Sequence, residues 1–155
     1  MSVLLGRRAA LCVFAGTKPA RTHEARVDGE RRLPSSDALL EQVARETVRP
    51  LVSTALFLEY EDVLKRAENR LATGMSEEDV DGFLAALASA AEPIEVSFRW
   101  RPQLSDPKDE LVLEAAVNGQ ADALVTHNVR DFEPAGRLFG LRVLLPRQVL
   151  KELER

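Results

Sequence analysis

The sequence predicts an α/β domain, a mostly parallel sheet flanked by helices, on three observations. From Ser35 onward, amphipathic helical segments alternate with short apolar runs, the order that right-handed crossovers between parallel strands produce. The chain has 155 residues, 45% hydrophobic and 30% charged, enough for one domain with a real core and too few for two comfortable ones. Acids and amides gather where apolar runs end and helices begin, the edge at which open α/β sheets collect ligand groups.

Residues 1–34 are poorly patterned. Ala9 to Ala15 reads as a buried first strand, and residues 16–34 as loop or disorder, because they are rich in Arg, Thr and Gly without a period of 2 or 3.6. The patterned domain spans residues 35–155. Leu39, Leu40, Val43 and Ala44 fall at helical spacing after the caps Ser35, Ser36 and Asp37. Val48 to Val52 reads as a strand, and Ser53 caps a helix from Thr54 to about Ala67 with Leu56, Phe57, Tyr60, Val63 and Leu64 on one stripe. After Gly74, Ser76-Glu77-Glu78-Asp79 is a capping box for a helix that buries Val80, Phe83, Leu84 and Leu87 and stops before Pro93. Ile94 to Phe98 is a candidate strand and Arg99 to Leu104 a loop. Asp106 caps a helix with Pro107 at its first position, and Asn118-Gly119 suits a left-handed end. Asp122 to Thr126 is a strand, 139–145 contains another, and Pro146 starts a last helix.

Composition narrows the function classes. A single cysteine, Cys12, rules out an intramolecular disulfide and a cysteine-based zinc cage, and points to a reduced, cytoplasmic setting. With only His23 and His127, any metal must be held mainly by oxygen. No apolar run approaches the roughly 18 to 20 residues that span a bilayer, and residues 1–14 lack the apolar core and cleavage site of a secretory signal. Residues 1–34 carry seven Lys or Arg against three acids, and the remainder fourteen against twenty-two. That acidic body argues against a broad basic groove, but not against nucleic acid bridged through cations.

Three places supply acids: Glu59 in the helix after Val52, Asp106 with Asp109, and Asp131 with Asn128. Carboxylates in this number suit a hard cation that keeps waters and takes substrate phosphate, which is chemistry for phosphodiester hydrolysis. Each also has a purely structural explanation. Glu59 is a solvated helix acid, Asp106 a cap, Asp109 an anion at a helix dipole, and Asn128 with Asp131 an ordinary turn.

Ser53-Thr54-Ala55-Leu56-Phe57-Leu58-Glu59, then Asp106-Pro107-Lys108-Asp109 with Leu113-Glu114-Ala115-Ala116, then Ala121 to Phe132 with Thr126-His127-Asn128-Val129-Arg130-Asp131, together resemble PIN domains. The similarity is to the branch of toxin components of bacterial toxin and antitoxin systems. It runs from about Ser35 to the C-terminus, and its last segment is the most specific. The resemblance implies a three-layer α/β/α fold and a ribonuclease dependent on Mg²⁺ or Mn²⁺. By position it makes Glu59, Asp109 and Asp131 the catalytic, metal-site acids, Asp106 an accessory metal acid, and Asn128 the residue that orders the cluster. RNA as substrate, a cognate antitoxin and a homodimer are the partners it implies.

One departure matters. The family pattern begins with a strand ending in Asp, usually followed by Thr and Asn, and no such triplet stands here. The acids before Ser35 are Glu24, Asp28 and Glu30, none directly after an apolar run. The alternative expectation is therefore a catalytically degenerate PIN-like module that binds antitoxin or RNA without cleavage. A shifted reading frame over residues 1–34 is a competing account of the missing triplet.

Overall fold

The computed structural model describes residues 8–11 and 35–155. In chain order the elements are β1 (Arg8–Leu11), α1 (Ser35–Ala44), β2 (Arg49–Val52), α2 (Thr54–Lys65), α3 (Ala67–Thr73) and α4 (Glu77–Ala90). They continue with β3 (Glu92–Pro93), α5 (Pro107–Asn118), β4 (Ala123–Val125), α6 (Val129–Phe139), β5 (Val143–Leu144) and α7 (Pro146–Leu153). The sheet has the order β3-β2-β1-β4-β5 and every pairing is parallel. The α/β expectation holds. Among the described residues no helix is long and apolar enough to cross a membrane.

Burial explains why the strands are short and apolar. Ala123, Leu124 and Val125 are each fully buried, as a parallel strand covered on both faces requires. Because successive side chains point to opposite faces, Leu124 joins a large cluster with Leu56, Tyr60, Val112 and Phe132, whereas Val125 joins a smaller one with Leu39, Val43, Val48 and Val149. The α1 and α7 helices meet at the smaller cluster.

Four local expectations need correction. The helix expected from Thr54 to Ala67 breaks at Arg66, which is extended at φ −61°, ψ 136°, and α3 follows. Asn69 Nδ2 donates to the Val63 carbonyl at 2.6 Å, satisfying an acceptor that the break exposes. The strand expected over Ile94 to Phe98 shrinks to Glu92–Pro93, with Ile94 N–H bonded to the Val52 carbonyl at 2.9 Å. Its later amides turn away from the sheet to α5: both Ser97 and Phe98 N–H donate to Asn118 Oδ1. The left-handed residue after α5 is Gln120 (φ 51°), not Gly119 (φ −82°). Gly119 is needed for closeness instead, since a Cβ there would stand 2.7 Å from the Ala115 carbonyl oxygen. Finally, α6 occupies a stretch for which the sequence reading gives no helix, whereas the strand expected within 139–145 is present as Val143–Leu144. Of the expected strand Ala9 to Ala15, residues 12–15 lie outside the described residues, as do 16–34.

Candidate active site

With β1 between β2 and β4, the chain winds outward in both directions from the middle of the sheet, and the β1/β4 boundary is its switch point. Ligands of such sheets bind outside the carboxyl ends of the strands at that point. Helix α2 starts directly after β2, and α6 starts three residues after β4. As the crossover into β4, α5 runs against the strands, so its amino end returns to the same edge. The topology thus delivers the starts of α5 and α6 to the carboxyl edge.

Helix α5 begins as its residues dictate. Asp106, extended at φ −98°, ψ 120°, is the N-cap; its Oδ1 accepts from Lys108 N–H at 2.9 Å, and Pro107 fills the first position. Asp109 stands half-buried in the first turn. Lys108 reaches across to α2, where its Nζ lies 3.4 Å from Glu59 Oε1. The Glu59 side chain is 16% exposed, and Oε1 is buried without a hydrogen bond among the described residues. A buried carboxylate oxygen facing only a cation is a donor held ready for a positive ligand.

At the second helix start, Asn128 is the N-cap residue of α6, and its N–H donates to Thr126 Oγ1 at 3.0 Å. Its side-chain amide donates to Asp131 Oδ2, so Asn128 orients the Asp131 carboxylate, which is exposed in the first helical turn. The structure therefore brings Glu59 to the amino turn of α5, and Asn128 to Asp131. Among the described residues, no group of three or more His, Cys, Asp or Glu side chains stands close enough to hold a metal ion. The donors fit a hard cation in kind, because they are carboxylate oxygens and one of them is buried and unbonded. Mg²⁺ is commonly held by one or two carboxylates with waters and phosphate, so a full protein cage is not required.

A second polar system escaped the sequence. Glu110, Glu114 and Asn118 recur at every fourth residue of α5 and clamp the preceding segment along the helix. Glu110 Oε1 accepts from Gln103 N–H at 2.6 Å and Leu104 N–H at 2.8 Å. Glu114 takes Arg101 in a fork at 2.5 and 3.0 Å, which drives the guanidinium further above its ordinary pKa. Asn118 Oδ1 accepts from Ser97 and Phe98, and its Nδ2 donates to the Phe98 carbonyl at 2.9 Å. Residues 97–104 are thereby a strap, running from the carboxyl end of α5 to its amino end. The available signal was the fourfold polar spacing on an otherwise apolar helix.

The sequence model of a family described as PIN domain matches residues 12–130, more than half of the chain. Glu59, Asp106, Asp109 and Asn128 fall inside that span, and Asp131 lies one residue beyond it. No curated protein and no solved structure gives a significant match.

Proposed function

The chain belongs to the PIN domain family, and from that premise we propose that it is a metal-dependent endoribonuclease, the toxin half of a bacterial toxin and antitoxin pair acting in the cytoplasm. The family suggests nuclease-type chemistry, and its members generally depend on a divalent metal. The one observation that carries the reading to these residues is Glu59 Oε1, buried without a hydrogen bond among the described residues and paired only at 3.4 Å with Lys108, in the α5 turn that holds Asp106 and Asp109. The division of β4 between two clusters, Leu124 in one and Val125 in the other, supports the three-layer α/β/α arrangement.

In this proposal Glu59, Asp109 and Asp131, with Asp106 as accessory acid, would draw together to hold Mg²⁺ or Mn²⁺, since among the described residues they form no such cluster without it. A bound cation would supply charge neutralisation at the phosphodiester and a lowered pKa for water near neutral pH. The chain's own residues do the rest. Asp106 fixes where α5 begins and hence where Asp109 stands. Asn128 aims one oxygen of Asp131. Lys108 holds the Glu59 carboxylate toward α5 and neutralises it in the absence of another cation. Purified protein should cleave single-stranded RNA with Mg²⁺ or Mn²⁺, and Asp109→Asn should abolish cleavage. Cleavage that survives chelation by EDTA rejects the mechanism. A cognate antitoxin should co-purify when its gene, a small one overlapping upstream, is expressed alongside; homodimer formation is read by sedimentation.

A second function, a non-catalytic module that binds antitoxin or RNA, is favoured by one specific observation. Two of the site acids are already engaged by cationic or amide groups, Glu59 by Lys108 and Asp131 by Asn128. Calorimetry that finds no Mn²⁺ binding by a stably folded protein decides for it.

A further inference from the structure

Phe98, Trp100 and Phe139 form a ladder of rings, with centroids 5.7 Å apart for the first pair and 5.2 Å for the second. The Phe98 side is open to solvent: that residue is 65% exposed and Trp100 39%, with Leu138 beside Phe139 at 66%. Leaving such area wet forgoes roughly 25 cal/mol per Å². The strap nonetheless fixes the rings there, through Asn118 on the Phe98 backbone and Glu114 on Arg101. Between the two strap rings stands Arg99, exposed and without an ion pair among the described residues. Nearby Arg101 and Arg137 are neutralised by Glu114 and Glu133. In an acidic body, a lone unpaired guanidinium interleaved with exposed rings is a local exception.

We propose that the Phe98-Arg99-Trp100 face binds single-stranded RNA, the outward ring of Phe98 stacking a base while Arg99 meets a phosphate. This rests on the nuclease function proposed above and names where its substrate extends. Ring faces beside a free cation match the two chemistries that every nucleotide repeats. An apolar protein partner fits less well, because it would have to desolvate Arg99 in the middle of its contact. Length agrees too. From Asn118, which anchors Phe98, to Asp109 is nine residues of α5, about 14 Å at 1.5 Å per residue. A few nucleotides of single strand cover that distance. RNA lying along the strap thus reaches the acid edge with one end stacked on Phe98.

Trp100 is the only tryptophan in the chain, so its emission reports on this face without a label. The test is a titration of the full chain in EDTA with an oligouridylate of about eight nucleotides. The expected result is a saturable change in emission that weakens with salt. Phe98→Ala should weaken binding by about 5- to 150-fold, Phe98→Tyr should restore it, and Arg99→Ala should flatten the salt dependence. Unchanged melting curves show that each variant folds. Affinity indifferent to Phe98→Ala, or no RNA binding at all, overturns the site. So does emission that depends on protein concentration alone with a dimer in sedimentation, which assigns the face to a second copy. Metal-dependent cleavage with Phe98-indifferent binding refutes this site and leaves the nuclease function standing. Phe98-sensitive binding without cleavage does the reverse.

Discussion

Glu59 Oε1 lies 3.4 Å from Lys108 Nζ, joining the middle of α2 to the first turn of α5. The pair is asymmetric: the carboxylate is 16% exposed and the lysine 41%. Lysine is therefore the partner that can leave for water, and the carboxylate the one that cannot. Lys108→Met keeps much of the stem and removes the charge. The change strands a mostly buried carboxylate, so the variant should lose about 1–3 kcal/mol, short of the roughly 3–5 kcal/mol of a pair buried on both sides. Removing the ammonium also removes a competitor for a cation at Glu59. Mn²⁺ should then raise the melting temperature more in Lys108→Met than in the parent. An equal response in both would show that lysine and metal do not share the carboxylate.

The strap rests most heavily on Glu110, which is 3% exposed and accepts two backbone N–H groups. Hydrogen bonds to a charged acceptor contribute about 1.5–3 kcal/mol each, so Glu110→Ala should cost roughly 2–4 kcal/mol once partial rehydration of the freed amides is allowed. Glu110→Gln retains one carbonyl oxygen and should lose about half of that. Urea denaturation followed by far-ultraviolet dichroism measures the loss, and native Trp100 emission reports whether the strap itself loosens. A Glu110→Ala protein as stable as its parent would mean the amides find water without penalty.

Parts of this architecture are plain in the residues, and parts are not. The β4 strand is legible because a run of three fully buried apolar residues has few alternatives. The start of α5 is legible because Asp-Pro states both cap and first position. Helix α6 was hidden by Pro134 within it, although Phe132, Ala135, Gly136 and Phe139 keep helical spacing and Gly140 is left-handed at its end. Residues 94–98 read as a strand because Ile94, Val96 and Phe98 alternate, while the groups that bind the strap's amides, Glu110 and Asn118, look solvated in sequence. Site residues are nameable one segment at a time. Their convergence depends on crossovers, and an ammonium opposite Glu59 has no sequence signature.

Gly119 closes α5 against the sheet. An added Cβ would stand 2.7 Å from the Ala115 carbonyl oxygen and 2.9 Å from both Ile94 Cδ1 and Leu51 Cδ1. The first of these is backbone of the same helix and cannot step aside, so Gly119→Ala should destabilise by about 1–3 kcal/mol. Gly82 provides the contrast, since it is exposed within α4 and a Cβ there meets nothing within 4 Å among the described residues. Gly82→Ala should stabilise by about 0.5–1 kcal/mol through lower unfolded-state entropy. Thermal unfolding of the two variants should shift in opposite directions. A shared direction would refute the packing account of Gly119.

At the head of α4, Ser76 N–H donates to Asp79 Oδ2 at 2.9 Å and Asp79 N–H donates to Ser76 Oγ at 3.1 Å. The Ser76 backbone amide, and then its hydroxyl, hold the Asp79 carboxyl below its ordinary value of 3.8. A carboxyl depressed in the folded state contributes stability that is fully present above the unfolded value and is lost as pH falls through the folded one. Asp79→Asn keeps an acceptor oxygen and removes the ionisation. The parent's stability advantage over Asp79→Asn should therefore be constant near neutral pH and shrink as pH drops below 3.8. Carboxyl NMR titration should place the Asp79 midpoint below that value. Because the group is exposed, added salt should reduce the ionic part of the difference. An advantage that grows on acidification would reverse the sign and rule out this box as its source.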